Sequence, residues 1–176
     1  MDNPKFVKDY VKILKEVGAT EFKNKFRTPV LVGVGMLGQI DDNRKVAGRK
    51  TAVISINNMD EVSQTESLAD RVWPVCKSGD GKPGPGITVG RVAGNDVVIP
   101  EYSVSQQHCQ FFYEPMRVVI CDLGALNGTM IAGKRVAPRA RVPVKNKDTV
   151  VLGRYQFHYL SPAGFIERVQ AVSQIL

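Results

Sequence analysis

Apolar residues recur at two different periods along this chain, and the change of period divides it. Near the N-terminus Phe6, Val7, Tyr10, Val11, Leu14 and Val17 fall at helical spacing. Asn3 before Pro4 offers a capping side chain followed by proline at the first helical position, and Gly18 closes the run. The pattern predicts an amphipathic helix over 4–17, whose apolar stripe must cover a surface of this chain or of a partner, more commonly of the same chain. Residues 19–28 are polar and basic, with room for one further helical turn. Residues 29–40 (PVLVGVGMLGQI) read as a strand running into a Gly-rich segment, 41–50 as a charged loop, and the alternating 51–56 (TAVISI) as a second strand. Residues 57–70 are acidic and polar, a loop or a short helix around 62–69.

From residue 72 the period shortens to two. VWPVC (72–76) is a strand candidate, placed at a sheet edge or bulge by Pro74, which cannot donate to a ladder. After a flexible SGDGKPGPG connection, strand-like runs follow at 86–91, 96–99, 108–113, 117–122, 129–132, 141–144, 149–152 and 155–160. Many short strands with frequent turn signals predict an antiparallel sandwich or barrel. Ser161-Pro162 repeats the cap-then-proline start. Phe165, Ile166, Val169, Val172, Ile175 and Leu176 then predict a closing helix over 162–174. The expected division is an N-terminal extension over 1–70, a β-sandwich over 71–161, and a C-terminal helix over 162–176 packed on it.

Composition narrows the function classes. The 176 residues suit one domain, or one domain with an extension. A hydrophobic share of 43% and a mean hydropathy of −0.13 predict a soluble globular protein with a real core. No apolar run approaches the roughly 20 residues of a membrane span. The charged N-terminus is unlike a signal peptide, so a cytoplasmic location and no membrane partner are expected. Cys76, Cys109 and Cys121 are an odd number without paired metal spacing. They read as buried free thiols in a reducing compartment, and no metal or cofactor is expected. The net charge of +7 favours anionic partners without choosing among them. An aromatic share of 7% and the lack of basic runs interleaved with aromatics argue against nucleic acid.

The candidate chemistry lies in three Gly-rich or polar loops between these strands: Arg91, then Ser105 with Gln106, then Asn127 with Gly128. A phosphothreonine in a peptide presents a dianion with several acceptor oxygens. Its binder needs a guanidinium, neutral donors for the remaining lone pairs, and a group that fixes the peptide backbone. Arg91, Ser105 and Asn127 supply those chemistries. Three such hydrogen bonds gross roughly 5–9 kcal/mol before ordering costs, the scale of micromolar binding.

Five ordered blocks carry a family resemblance: Gly90-Arg91, Asn95-Asp96-Val97-Val98-Ile99, Ser105-Gln106-Gln107-His108, Asp122-Leu123-Gly124-Ala125-Leu126-Asn127-Gly128-Thr129, and Asp148-Thr149-Val150-Val151-Leu152-Gly153. Over about 72–160 the chain resembles the forkhead-associated (FHA) domain. The resemblance implies a sandwich of about eleven strands that binds phosphothreonine peptides through loops at one end. By that likeness Arg91 and Ser105 hold the phosphate, Gln106 takes the next contact position and Asn127 holds the peptide backbone. Gly90, Asn95, His108 and Gly128 brace the loops. The implied protein is a non-catalytic adaptor in serine/threonine-kinase signalling, its partner a phosphothreonine-containing protein or a kinase. The alternative is an FHA-like scaffold that binds proteins independently of phosphate. Oligomeric state is left open.

The chain departs from the pattern in two places. Gln106 stands where a basic residue is frequent, and Ala125-Leu126 where hydroxyl residues are, so Leu126 offers no side-chain donor to a phosphate. Other signals are weaker. Gly33–Gly38 fits G-x-G-x-x-G but lacks the following helix that a dinucleotide site requires. Ser105, His108 and Asp122 suggest a hydrolase triad without a nucleophile elbow. His158 alternates with Phe157 and Tyr159 and reads as a surface or satisfied histidine. Thr65, in the acidic SQTESLAD, is a candidate self-regulatory phosphosite, since small FHA proteins can carry such a threonine on an arm that folds back into the binding loops. Otherwise it sits in a solvated loop.

Overall fold

A computed structural model describes residues 5–37, 39–40, 54–55, 62–63, 68–82 and 84–176. The expected helix start at Asn3-Pro4 and the candidate phosphosite Thr65 lie outside these residues. Helix α1 runs Val7–Lys25. At its start the Asp9 carboxylate turns back to accept the Lys5 and Phe6 backbone N–H groups, both at 3.0 Å. That satisfies otherwise orphan donors and sets a negative charge at the positive end of the helix dipole. The stop expected at Gly18 is a kink instead of an end. Gly18 sits at φ 80°, ψ 165°, and the helix resumes to Lys25. The polar tract beyond it continues because it buries Phe22 completely, with Phe26 packed at 4.5 Å between ring centroids.

Among the described residues fourteen strands follow, several of only two residues. They are β1 (Val30–Leu37), β2 (Gln39–Ile40), β3 (Ile54–Ser55), β4 (Val62–Ser63), β5 (Val72–Pro74), β6 (Ile87–Gly90) and β7 (Val97–Val98). Then come β8 (Cys109–Glu114), β9 (Arg117–Asp122), β10 (Thr129–Ile131), β11 (Lys134–Arg135), β12 (Arg141–Val144), β13 (Thr149–Leu152) and β14 (Tyr155–Leu160). Helix α2 (Pro162–Ile175) closes the chain, capped by Ser161 Oγ, which accepts from the Gly164 backbone N–H at 3.2 Å. Of the loop or short helix weighed around 62–69, residues 64–67 lie outside the described ones. Val62–Ser63 is instead a strand on the end of β1, and Leu68 to Asp70 form a turn.

A seven-stranded sheet runs in the order β11-β10-β13-β14-β1-β4, with β5 beside β4 on the same edge of β1. A five-stranded sheet runs β12-β9-β8-β6-β7, antiparallel except for the β6–β7 pair. β2 and β3 form a small separate ladder. The inward faces of the two large sheets meet in one core, Leu31, Trp73, Leu152 and Phe157 against Ile87, Val89, Phe111 and Ile120. Trp73 and Phe157 pack edge to face at 5.4 Å.

β1 explains its own sequence. Its VLVGVGML run is nearly continuous in apolar residues because both faces are covered. Leu31 enters the sandwich core, while Val30 and Val32 join a second core with Val7, Tyr10, Phe22, Phe165 and Val169 of the two helices. The amphipathic N-terminal helix therefore docks on its own chain. Gly33 and Gly35, the first two glycines of the G-x-G-x-x-G spacing, lie within this strand rather than in a dinucleotide loop, Gly33 under the Leu68 carbonyl. Cys109 and Cys121 are buried; Cys76, expected to be so, is only half-buried near the end of the β5 edge.

Candidate phosphopeptide-binding loops

The loops after β6, β7 and β9 converge on one short segment, residues 103–106. Four successive carbonyls there each receive a donor from a residue singled out by sequence. The Ser103 carbonyl accepts from Asn127 Nδ2 at 2.8 Å, and the Val104 carbonyl from Arg91 Nε at 3.0 Å. The Ser105 carbonyl accepts from the Arg91 backbone N–H at 3.0 Å, and the Gln106 carbonyl from Asn95 Nδ2 at 2.8 Å. Arg91, Ser105, Gln106 and Asn127 thus belong to one cluster. The segment can serve as a template because Val104 is fully buried and pins it to the core.

Each bracing residue has a physical task. Gly90 packs so closely under the loop that a Cβ there would lie 2.2 Å from the Gln106 carbonyl oxygen. Asn95 is 7% exposed and spends its amide on two carbonyls, Val92 and Gln106, both at 2.8 Å. His108 is fully buried. Its Nδ1 accepts from the Ser105 backbone N–H at 3.1 Å, so Nε2 carries the hydrogen and donates to the Gly128 carbonyl at 3.0 Å. Burial pushes its pKa down, against the pull of that carbonyl and of Asp122. Gly128 holds φ 74° and is packed against the Arg135 guanidinium.

The triad idea fails on this geometry. The lone pair of His108 is spent on a backbone N–H rather than on the Ser105 hydroxyl. Asp122 turns away from the imidazole, one oxygen taking the Gly124 and Ala125 N–H groups at 2.7 and 3.0 Å, the other the Thr129 hydroxyl at 2.7 Å. That turn presents residues 125–128 to the Ser105 loop. Ser105 Oγ then accepts from the Leu126 backbone N–H at 3.1 Å. With one lone pair so engaged, the hydroxyl hydrogen is oriented to donate elsewhere. Leu126 has no donor in its side chain, yet its backbone aims the serine.

Arg91 is half-buried, its guanidinium carbon 6.0 Å from the ring centroid of Tyr102, which is 67% exposed. Gln106 is exposed on the rim, and Arg135 Nη2 donates to the Asn127 carbonyl at 3.1 Å. At the end of the loop after β6, Asp96 gathers the Ser78 and Thr88 backbone N–H groups, both hydroxyls and the Lys77 ammonium. Burial alone would raise its pKa; those donors outweigh it and hold the carboxyl well below the usual range. Sequence reasoning missed Ser103, the first residue of this segment, and Glu101, Tyr102 and Arg154 beside it. No spacing pattern links Glu101 to Arg154.

A cleft of about 600 Å³ lies elsewhere, between α2 and the β1–β14 pair. Its cations are paired, Arg168 with Asp70 at 3.0 Å and Lys147 with Glu167 at 3.5 Å. Among the described residues no helix is long and apolar enough to cross a membrane.

Residues 87–153 match the family model described as FHA domain. A curated FHA domain-containing protein of Arabidopsis thaliana is 35% identical over 77 residues, 43% of this chain and 20% of that protein. The solution structure of an Arabidopsis thaliana FHA domain is 32% identical, covering 46% of this chain and 70% of that one, with a TM-score of 0.43. Mycobacterium tuberculosis EmbR, solved with a low-affinity phosphopeptide, is 23% identical over 52% of this chain and 22% of its own, with a TM-score of 0.45. The chain thus spans about a fifth of the length of two of these relatives. With five motif blocks gathered around one loop and a family match across the same strands, residues 87–153 are an FHA domain.

Proposed function

We propose that the chain is a non-catalytic adaptor that binds phosphothreonine peptides in serine/threonine-kinase signalling, in the cytoplasm. The observation that carries this reading is the hanging of Arg91 and Asn127 from adjacent carbonyls of the segment that also bears Ser105. A guanidinium, a hydroxyl and a carboxamide on one small template match a dianion attached to a peptide backbone. Arg91 and Ser105 hold the phosphate, Gln106 takes the next contact, and Asn127 holds the peptide main chain. Gly90, Asn95, His108 and Gly128 hold the loops in register. The partner is a phosphothreonine-containing protein or kinase. The basic balance of +7 favours such acidic partners at long range.

The test is a phosphothreonine peptide library offered to wild type and to Arg91→Ala, with unphosphorylated peptides alongside. The reading predicts selective capture by wild type. It also predicts a loss of at least tenfold in Arg91→Ala, the effect of removing about 1.5–3 kcal/mol of charge-assisted hydrogen bonding. Equal capture by both proteins, or of both peptide forms, favours the phosphate-independent scaffold instead.

A further inference from the structure

Glu101 and Arg154 lie 53 positions apart and meet as an ion pair at 2.8 Å, their side chains 4% and 20% exposed. Arg154 Nε donates to one Glu101 oxygen. The other oxygen accepts the Ser103 backbone N–H at 2.8 Å and also the Ser103 hydroxyl. Ser103 Oγ in turn accepts the Arg154 backbone N–H at 2.9 Å. The three residues form a closed ring, and its outlet is the Ser103 carbonyl, which receives Asn127 Nδ2. The turn between β13 and β14 reaches this ring only because residue 153 is glycine. It holds φ 61°, and a Cβ there would lie 2.5 Å from the Ser103 carbonyl oxygen.

A buried ion pair is poor at raising stability, since well-packed apolar residues often do as well. What such a pair does is fix geometry, because each carboxylate oxygen must find its donors or the desolvation is uncompensated. Here the fixed geometry is that of residues 103–105, whose carbonyls carry Asn127 and Arg91. We infer that Glu101, Arg154 and Ser103 are positioning residues for the anion-binding loop, a lock that sets the carbonyls from which Arg91 and Asn127 are suspended. This inference rests on the reading of those two residues as peptide contacts.

Glu101→Gln keeps size while halving the acceptor capacity that the ring uses. The lock predicts phosphothreonine peptide affinity ten- to a hundredfold weaker in Glu101→Gln, measured well below the unfolding temperature. It predicts a smaller loss in Arg154→Lys, which keeps the charge, and that variant serves if Glu101→Gln fails to fold. In an Asn127→Ala background the further effect of Glu101→Gln should shrink severalfold, because the first change already removes part of what the lock positions. Fully additive losses would overturn the inference. A readout without peptide separates the lock from the function: the amide-type NMR signals of Arg91 Nε–H and Asn127 Nδ2 should move in Glu101→Gln. Signals that stay in place would also overturn it. Failure of wild type to bind any phosphopeptide would count against the proposed function alone, the peptide-free signals still deciding the lock.

Discussion

His108 braces Ser105 only while it is neutral, since a proton on Nδ1 would leave nothing to accept the Ser105 N–H. Its pKa is lowered by burial, so the unfolded chain binds that proton more readily than the folded one. The resulting stability is complete above pH 6.5 and is lost as pH falls below it, at up to about 1.4 kcal/mol per pH unit for one group. His158 is shifted the same way by desolvation and by Arg168 and adds to the loss. Carboxylates such as Asp96, whose pKa is depressed, lose their contribution only below about pH 4. Denaturant unfolding at pH 7.5 and 5.5 should therefore show a lower midpoint at 5.5 for wild type. The drop should be smaller for His108→Gln; equal drops would acquit His108. At this scale the gathering of Arg91, Ser105 and Asn127 on one segment was legible, because the motif blocks that carry them stand in the order of the family pattern. Glu101 and Arg154 were not. Each alone is an ordinary charged residue in a loop, and only the turn at Gly153 brings them into contact.

At the scale of elements, strands 109–114, 117–122, 141–144, 149–152 and 155–160 were readable as short apolar runs between turn signals, although β9 and β13 bury consecutive residues, Val119–Asp122 and Val150–Leu152, and so show no clean period of two. β4 and β11, two residues each, are too short to carry any period and exist only through their partners on β1 and β10. Helix α1 runs past Gly18 because tertiary burial of Phe22 outweighs what a glycine signals locally. The two helices cover the outer face of β1, where Phe165 is 1% exposed and packs edge to face on Tyr10 at 4.9 Å. Phe165→Ala should cost about 3–5 kcal/mol of stability. Phosphopeptide affinity at low temperature should remain within twofold of wild type, since none of the hydrogen bonds described above for the candidate loops involves a residue of α1 or α2. Urea unfolding and peptide titration on the same preparation check both halves. A parallel loss of affinity would mean that the helical face and the loops are coupled.

On the scale of the whole molecule, β1 is shared by two cores. One fills the sandwich, and the other seats the helices on its far side. No local pattern announces that residues 30–37 sit between β14 on one edge and β4 and β5 on the other, because that placement depends on partners further along the chain, more than a hundred residues away on one edge and about 25 to 44 on the other. The arrangement leaves the loops that carry Arg91, Ser105 and Asn127 at an end of the five-stranded sheet, separate from the helical face. A phosphothreonine peptide added to ¹⁵N-labelled protein, followed by two-dimensional NMR, asks directly which surface meets the ligand. The account predicts saturable shifts at Arg91, including its Nε–H, and at Ser105, Gln106 and Asn127, abolished by dephosphorylating the peptide. Shifts confined to α1 and α2, or identical shifts with and without the phosphate, would contradict it.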